Sequence, residues 1–323
     1  MRITNGMSQK NFNYNLHKNL TRMSKIDEQL NTGKEINRLS DDPAKAAKIV
    51  RLKNDIAKNA QYHKNIVDAT NHLDVTDKSL EQVTDSLQKM RELLVNAGNA
   101  TYGSEERAAL KEEMSQIVSK MGDVMNTTFG GKYIFGGERS DKKPIDNSKD
   151  VISGNVKLSY NGKDGQAITD VEKNQINKNL KLEISTGVTI DYGVNAVEVF
   201  EFQDKDGNDI NLMETFDEIL TNIDSTDQDQ YKELMTKNLE EIDSALQNVL
   251  SIRGEIGAKQ NRMEDALDRN EEEKFNIKEI LSSIEDIDFA EKTIEYVTAS
   301  TMYNASLQAS SKIMQPTLID YLR

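Results

Sequence analysis

The residues best suited to chemistry are three histidines, His17, His63 and His72, and one acidic run, Glu285, Asp286, Asp288 and Glu291. Histidine carries acid–base and zinc chemistry, and grouped carboxylates carry acid–base or metal work. None of the histidines opens an H-E-x-x-H pattern, and none follows position 72. Nucleophilic catalysis through histidine and zinc hydrolysis therefore lack their usual parts. In the acidic run, helical spacing brings Lys292 within reach of Asp288. The run reads as a solvated helix start whose acids suit the positive end of the helix dipole. The glycine-rich stretch GGKYIFGG at 130–137 fits neither phosphate-cradling pattern and reads as a β-turn junction between helices and strands. With no cysteine, neither a disulfide nor a thiolate metal site can form. The chain is expected to be no enzyme, with no catalytic, cofactor-binding or metal-binding residues and no cofactor.

What the sequence offers instead is periodicity. An apolar residue returns every seventh position at Leu52, Ile66, Leu73, Leu80, Leu87 and Leu94, broken only by Asn59. The beat recurs at Ile242, Val249, Ile256, Met263, Ile277 and Ile284, broken only by Asn270. A seven-residue repeat keeps one stripe facing a partner helix turn after turn. Two such ladders predict a chain that runs out, makes a detour and returns along itself, so these residues form an intramolecular helix seam. Asn59 and Asn270 fall nearly level in that pairing. They read either as a polar pair that fixes register or, more plainly, as residues at a solvated edge.

Other elements frame the ladders. Leu16, Leu20, Met23 and Leu30 form one stripe of a first amphipathic helix that stops near Thr32-Gly33. Asp42 and Pro43 suit the cap and first turn of the next helix, about 80 Å long at 1.5 Å per residue. Ser104 opens a third helix, striped by Leu110, Met114, Ile117, Met121 and Val124, which should fold back antiparallel. From there to about Ile210 the chain reads as short strands: Val156–Tyr160 followed by an Asn161-Gly162 hairpin turn, Leu180–Ile184, Val188–Ile190 and Val197–Phe202. Asp206-Gly207 marks another turn, and Asn211 with Glu214 frames a short helix carrying Leu212, Phe216, Ile219 and Leu220 inward. Ser225 with Gln228 forms a capping box ahead of the returning ladder. Gly254 and Gly257 weaken that helix locally, by close helix contact or a slight bend. A last helix, about Phe289 to Met314, ends at Pro316 and has a thin apolar stripe. Both terminal helices need a partner to order them.

The predicted fold is mainly α with an inserted β-rich domain, an elongated antiparallel long-helix bundle with its N- and C-terminal helices paired. The expected parts are a first amphipathic helix at 1–38, a long helical segment at 39–137, a β-rich outer domain at 138–211, a returning helix at 212–285 and a C-terminal amphipathic helix at 286–323. Aromatics make up only 6% and tryptophan is absent, which disfavours a large globular core. The net charge of −14 argues against nucleic acid, whose affinity depends on cations that neutralise phosphate. The basic start reads as a solvated face or as a surface for an acidic partner. No run approaches the ~18 apolar residues of a membrane helix. The start MRITNGMSQKNF shows no cleaved-signal pattern, which leaves a cytoplasmic chain or one exported by an uncleaved route.

Several motifs carry a family resemblance. MRITNGM, INRLSDDPAKAAK (36–48) and LQKMRELLVNAGNATYGSEER (87–107) resemble the N-terminal region shared by bacterial flagellins and their junction proteins. GAKQNRMEDALDRN (257–270), SSIEDIDFAEKT (282–293) and YNASLQASSKIMQPTLIDYL (303–322) resemble the C-terminal region. GGKYIFGGERSDKKPI (130–145) and the ending IMQPTLIDYL look like the hook–filament junction type rather than the filament subunit. The resemblance covers about 1–145 and 205–323. It implies a flagellin-like fold and a structural, extracellular subunit of the flagellum that serves motility, leaving unfolded through the type III export route. It implies as partners other copies in a ring, a neighbouring hook-associated protein, flagellin and an export chaperone, with no nucleic acid or membrane. The assembly interface is expected at Leu16, Leu20, Met23, Leu30, Ile294, Val297, Leu307 and Ile313. A filament flagellin is the alternative, and an enzyme carried by the inserted domain or a cytoplasmic coiled-coil scaffold are the more distant ones.

Overall fold

The computed structural model describes residues 5–98, 103–149, 155–162, 168–223 and 234–313. The chain is mainly helical, with long helices towards both ends and short β hairpins in its middle. It divides into two compact units, Met1–Ala60 with Glu272–Arg323, and Gln61–Glu271. The Ser225–Gln228 box and Pro316 lie outside the described residues.

In the unit Gln61–Glu271, the long helices α2 (Pro43–Ala97) and α7 (Leu239–Glu285) supply the seam. Ile66, Leu73, Leu80, Leu87 and Leu94 from α2, and Ile242, Val249, Ile256 and Met263 from α7, are completely buried. Each such side chain contributes about 1.5–3 kcal/mol by leaving water. Polar pairs fix the direction: Arg91 Nε to Asp243 Oδ1 at 2.6 Å, Asp77 to Arg253 at 2.9 Å, and Gln260 Nε2 to Asp74 Oδ1 at 2.7 Å. One index falls as the other rises, so the helices are antiparallel. Thr76, Ser79, Thr84 and Ser86 are buried on α2, and each hydroxyl donates to the carbonyl one turn back, at 2.7–2.9 Å. Helix α7 passes unbroken through Gly254 and Gly257, and a Cβ at either would meet nothing, which rules out close helix contact there.

Helix α3 (Ser104–Met125) starts where the Glu106 carboxylate accepts the Gly103 N–H, and buries Met114, Met121 and Val124. Gly130 and Gly131, at φ 59° and 80°, turn β1 (Thr128–Phe129) into β2 (Lys132–Tyr133). That left-handed conformation suits glycine. The hairpin of β3 (Ile145–Lys149) and β4 (Val156–Tyr160) lies on α3. There a Cβ on Gly122 would come within 2.7 Å of Leu158, and Asn147 Nδ2 donates to Ser119 Oγ at 2.8 Å. Next come α4 (Asp170–Ile176), β5 (Lys181–Ser185), β6 (Val188–Asp191), α5 (Ala196–Phe200), β7 (Glu201–Gln203), β8 (Asp209–Asn211) and α6 (Leu212–Asn222). The described strands form four separate two-stranded antiparallel sheets around buried Phe135, Phe200 and Phe216.

Strand β4 pairs with the preceding β3, and the Asn161 N–H donates to Pro144 O at 2.9 Å, while the strand expected after the Asn161-Gly162 turn falls outside the described residues. One local expectation fails. Val197–Phe202 is not one strand. Its first part is α5, capped by Asn195, whose side chain accepts from Glu198 N–H, and only Glu201–Gln203 is extended. Four buried apolar residues out of five, Ala196, Val197, Val199 and Phe200, outweigh the β preference of Val and Phe. Helix α4 went unread, although Thr169 and Glu172 form a complete capping box that its sequence displays.

Candidate assembly interface

The remaining unit gathers the two terminal helices with the outer ends of α2 and α7. Helix α1 (Asn5–Thr32) packs on α8 (Phe289–Ile313). Asn19 Nδ2 reaches Ser306 Oγ at 3.5 Å, while Gly33 at the root of α1 lies against Phe289, so the two are antiparallel. On α8 the covered positions are Lys292, Glu295, Tyr296, Ala299, Ser300, Tyr303, Ser306 and Ser310, most of them three or four residues apart along one side of the helix. Small and aromatic residues make most of this covered side, with the paired Lys292 and Glu295 at its start.

The expected interface residues differ in exposure within the single chain. Leu16, Met23 and Leu30 are half-buried on α1, and Leu20 is exposed. Ile294 and Val297 are 68% and 58% exposed, and Leu307 is exposed as well. Ile313 lies in α8, with its side chain outside the described set. On α8 the large apolar Ile294, Val297 and Leu307 are thus exposed in the single chain, while the small Ala299 is buried. A cleft of about 310 Å³ opens beside them, walled by Asn19 and Arg22 from α1 and by Ile294, Ala299 and Met302 from α8. Along the seam, Leu52, Ile277 and Ile284 are half-buried in this unit.

The base of the helix pair is a polar clasp. Gly33, at φ 72°, ends α1, and its carbonyl accepts the Ile287 N–H at 3.1 Å. The Glu35 N–H donates to Glu285 O at 2.7 Å. The Glu285 carboxylate, 8% exposed, receives Lys34 at 2.7 Å and Lys53 at 2.8 Å. Burial alone would raise the Glu285 carboxyl, but hydrogen bonds from the two lysines outweigh it and hold the group below its usual value. The hydrogen bond to Glu285 raises Lys34 in turn.

The acidic run is therefore not a uniformly solvated helix start, since Glu285 is buried and doubly paired. Lys292 does not reach Asp288 with its side chain either. It pairs with Glu295 at 3.1 Å, while Asp288 caps α8 by accepting the Ala290 and Glu291 N–H groups at 2.8 and 3.2 Å. Asn59 and Asn270 are both buried, which overturns the solvated-edge reading.

The histidines are dispersed. His17 is exposed, and His63 lies 3.7 Å from Glu271. His72 is buried edge-on to Phe129 and Tyr192, and burial lowers its pKa. Among the described residues, no group of three His, Cys, Asp or Glu is placed to hold a metal ion, and no helix is long and apolar enough to cross a membrane.

Comparison with known proteins agrees with this geometry. The family model of the bacterial flagellin N-terminal helical region matches residues 3–140, and that of the C-terminal helical region matches 239–322. Flagellar hook-associated protein 3 of Escherichia coli K12 is 26% identical over 293 residues, spanning 88% of each chain. Flagellin of Bacillus subtilis 168 is 26% identical over 312 residues, spanning 95% of this chain and 94% of its own. The crystal structure of flagellar hook associated protein-3 from Legionella pneumophila has the same fold, with a TM-score of 0.59 at 17% identity over 73% of this chain and 98% of that one.

Proposed function

The chain belongs to the bacterial flagellin family, and on that premise we propose that it is a structural subunit of the flagellum, the adaptor between hook and filament. The observation that carries an assembly role is the α1–α8 pair, whose two helices hold each other yet leave Leu20, Ile294, Val297 and Leu307 uncovered. Large exposed apolar residues grouped on one element mark a surface meant for a partner. Neighbouring copies cover these residues on assembly, together with Leu16, Met23, Leu30 and Ile313. In the assembled flagellum, 1–38 and 286–323 form an inner layer, 39–137 and 212–285 the next, and 138–211 the outer face.

Similarity to hook-associated protein 3 and the segment GGKYIFGGERSDKKPI support the junction over the filament. The neighbours are then other copies in a ring, a second hook-associated protein and flagellin. The chain leaves the cell unfolded through the flagellar export channel, its C-terminal region first held by a chaperone. Its task is mechanical, with no catalysis. Deleting the gene tests the reading: finished hooks without filaments, and flagellin spilled into the medium, are expected. Normal filaments in the deletion strain would refute it.

Filament flagellin is the second reading, favoured by the match to the Bacillus subtilis flagellin. A deletion strain that keeps no flagellin of any kind in its medium would favour it.

A further inference from the structure

Near the clasp, α2 and α7 each expose a face that none of the described residues covers. On α2, Val50 is 50% exposed, and Arg51 and Lys58 lie open beside it. On α7, Phe275 is 69% exposed, and Glu272 and Glu279 lie open beside it. Among the described residues, no intrachain ion pair engages Arg51, Lys58, Glu272 or Glu279.

The two faces match in spacing and sign. Arg51 and Lys58 stand seven residues apart, as do Glu272 and Glu279. Seven residues are nearly two whole turns, so each pair lines up along its helix about 10 Å apart. Lys274 and Lys278 fall well outside the arc that holds Glu272 and Glu279. Each line carries one opposite charge, Asp55 between Arg51 and Lys58 and Arg269 one turn before Glu272. The α2 face stays basic by Lys48, Arg51 and Lys58 against Asp55, and the α7 face acidic by Glu272 and Glu279 against Arg269. Val50 and Phe275 add an apolar flank to the basic and the acidic line respectively.

The geometry points to a second copy of this chain as the occupant: the α2 face of one copy docks on the α7 face of the next, pairing Arg51 with Glu279 and Lys58 with Glu272. Copies standing side by side in one direction present α2 to α7 antiparallel, because the two helices are antiparallel within a chain. That direction sets Arg51 opposite Glu279. Two different faces make the contact heterologous, which propagates round a ring until it closes. The inference rests on the proposed function, since it needs copies to assemble side by side.

Charge reversal tests it in whole cells carrying the full chain. Arg51→Glu alone and Glu279→Arg alone should each cut filaments per cell at least tenfold, while the purified variants melt as the wild type does. The double variant, whose copies again carry opposite charges, should recover to within about twofold. Single variants that assemble normally would overturn the contact, as would a double variant that melts like wild type yet recovers nothing. If the wild-type protein is missing from sheared flagella, the junction reading itself falls and takes the contact with it.

Discussion

Arg253 meets Asp77 through two hydrogen bonds, Nε to Oδ1 at 2.9 Å and Nη2 to Oδ2 at 3.3 Å, although 176 positions separate them in sequence. A forked guanidinium–carboxylate pair fixes register as well as adding energy. Here it sits beside the buried heptad residues and holds the two ladders in step. Asp77 raises the Arg253 guanidinium above its usual value through that hydrogen bond. Arg253→Ala should lower the stability of the chain by about 1 kcal/mol, measured by urea unfolding. A variant as stable as the wild type would show that the apolar ladder sets register unaided.

The clasp gives a signed pH dependence. Glu285 has its carboxyl lowered from 4.5 in the folded chain, so its contribution is full above that value and is lost as pH falls through the folded value. Lys34 is raised from 10.5, so its contribution is full below that value and fades as pH climbs past the folded one. Stability from the clasp should therefore form a plateau across neutral pH that drops at the acidic and strongly alkaline ends. The lysine ends are half exposed, so Glu285→Gln should cost only about 1 kcal/mol at pH 7. Melting scans of both proteins at pH 3–8 check this, with the difference between them vanishing at the acidic end.

Gly137 stands at φ 59°, and a Cβ there would strike the Ile176 carbonyl oxygen. Gly137→Ala is expected to destabilise the unit holding the β hairpins by more than about 2 kcal/mol. The same change at Gly131, where a Cβ meets nothing, should cost only the backbone strain. Comparing the two by thermal melting separates collision from strain.

Dilute monomer should lose both ends first to a protease, leaving about 40–285. The exposed Ile294, Val297 and Leu307 mean that α8 buries little on its own. Helices that bury little open readily, and cleavage follows opening. Ends that resist digestion at low concentration would count against folding on assembly.

Much of this fold was legible because long helices advertise themselves. Leu73, Leu80 and Leu87 announce a seam, and the Asp42–Pro43 pair announces where its helix starts, with Asp42 Oδ1 accepting the Ala44 N–H at 3.0 Å. The middle of the chain was less legible. Which strand β4 joins depends on Pro144 and Asn161 meeting in space, and α5 is helical because Ala196, Val197, Val199 and Phe200 are all buried together. The terminal helices were legible as helices, but the covered side of α8 was not. Apolar residues stand out in sequence, but whether Ile294 faces α1 or a neighbour depends on which stripe of α8 has smaller side chains. Glu285 hid for a different reason: two lysines remote in sequence offset the cost of burying it.

Position along the flagellum tests the central claim most directly. Gold-labelled antibody against the 138–211 region, applied to intact hook–filament preparations, should mark one narrow band where hook meets filament. Label spread along the whole filament, or none on the flagellum at all, would contradict it.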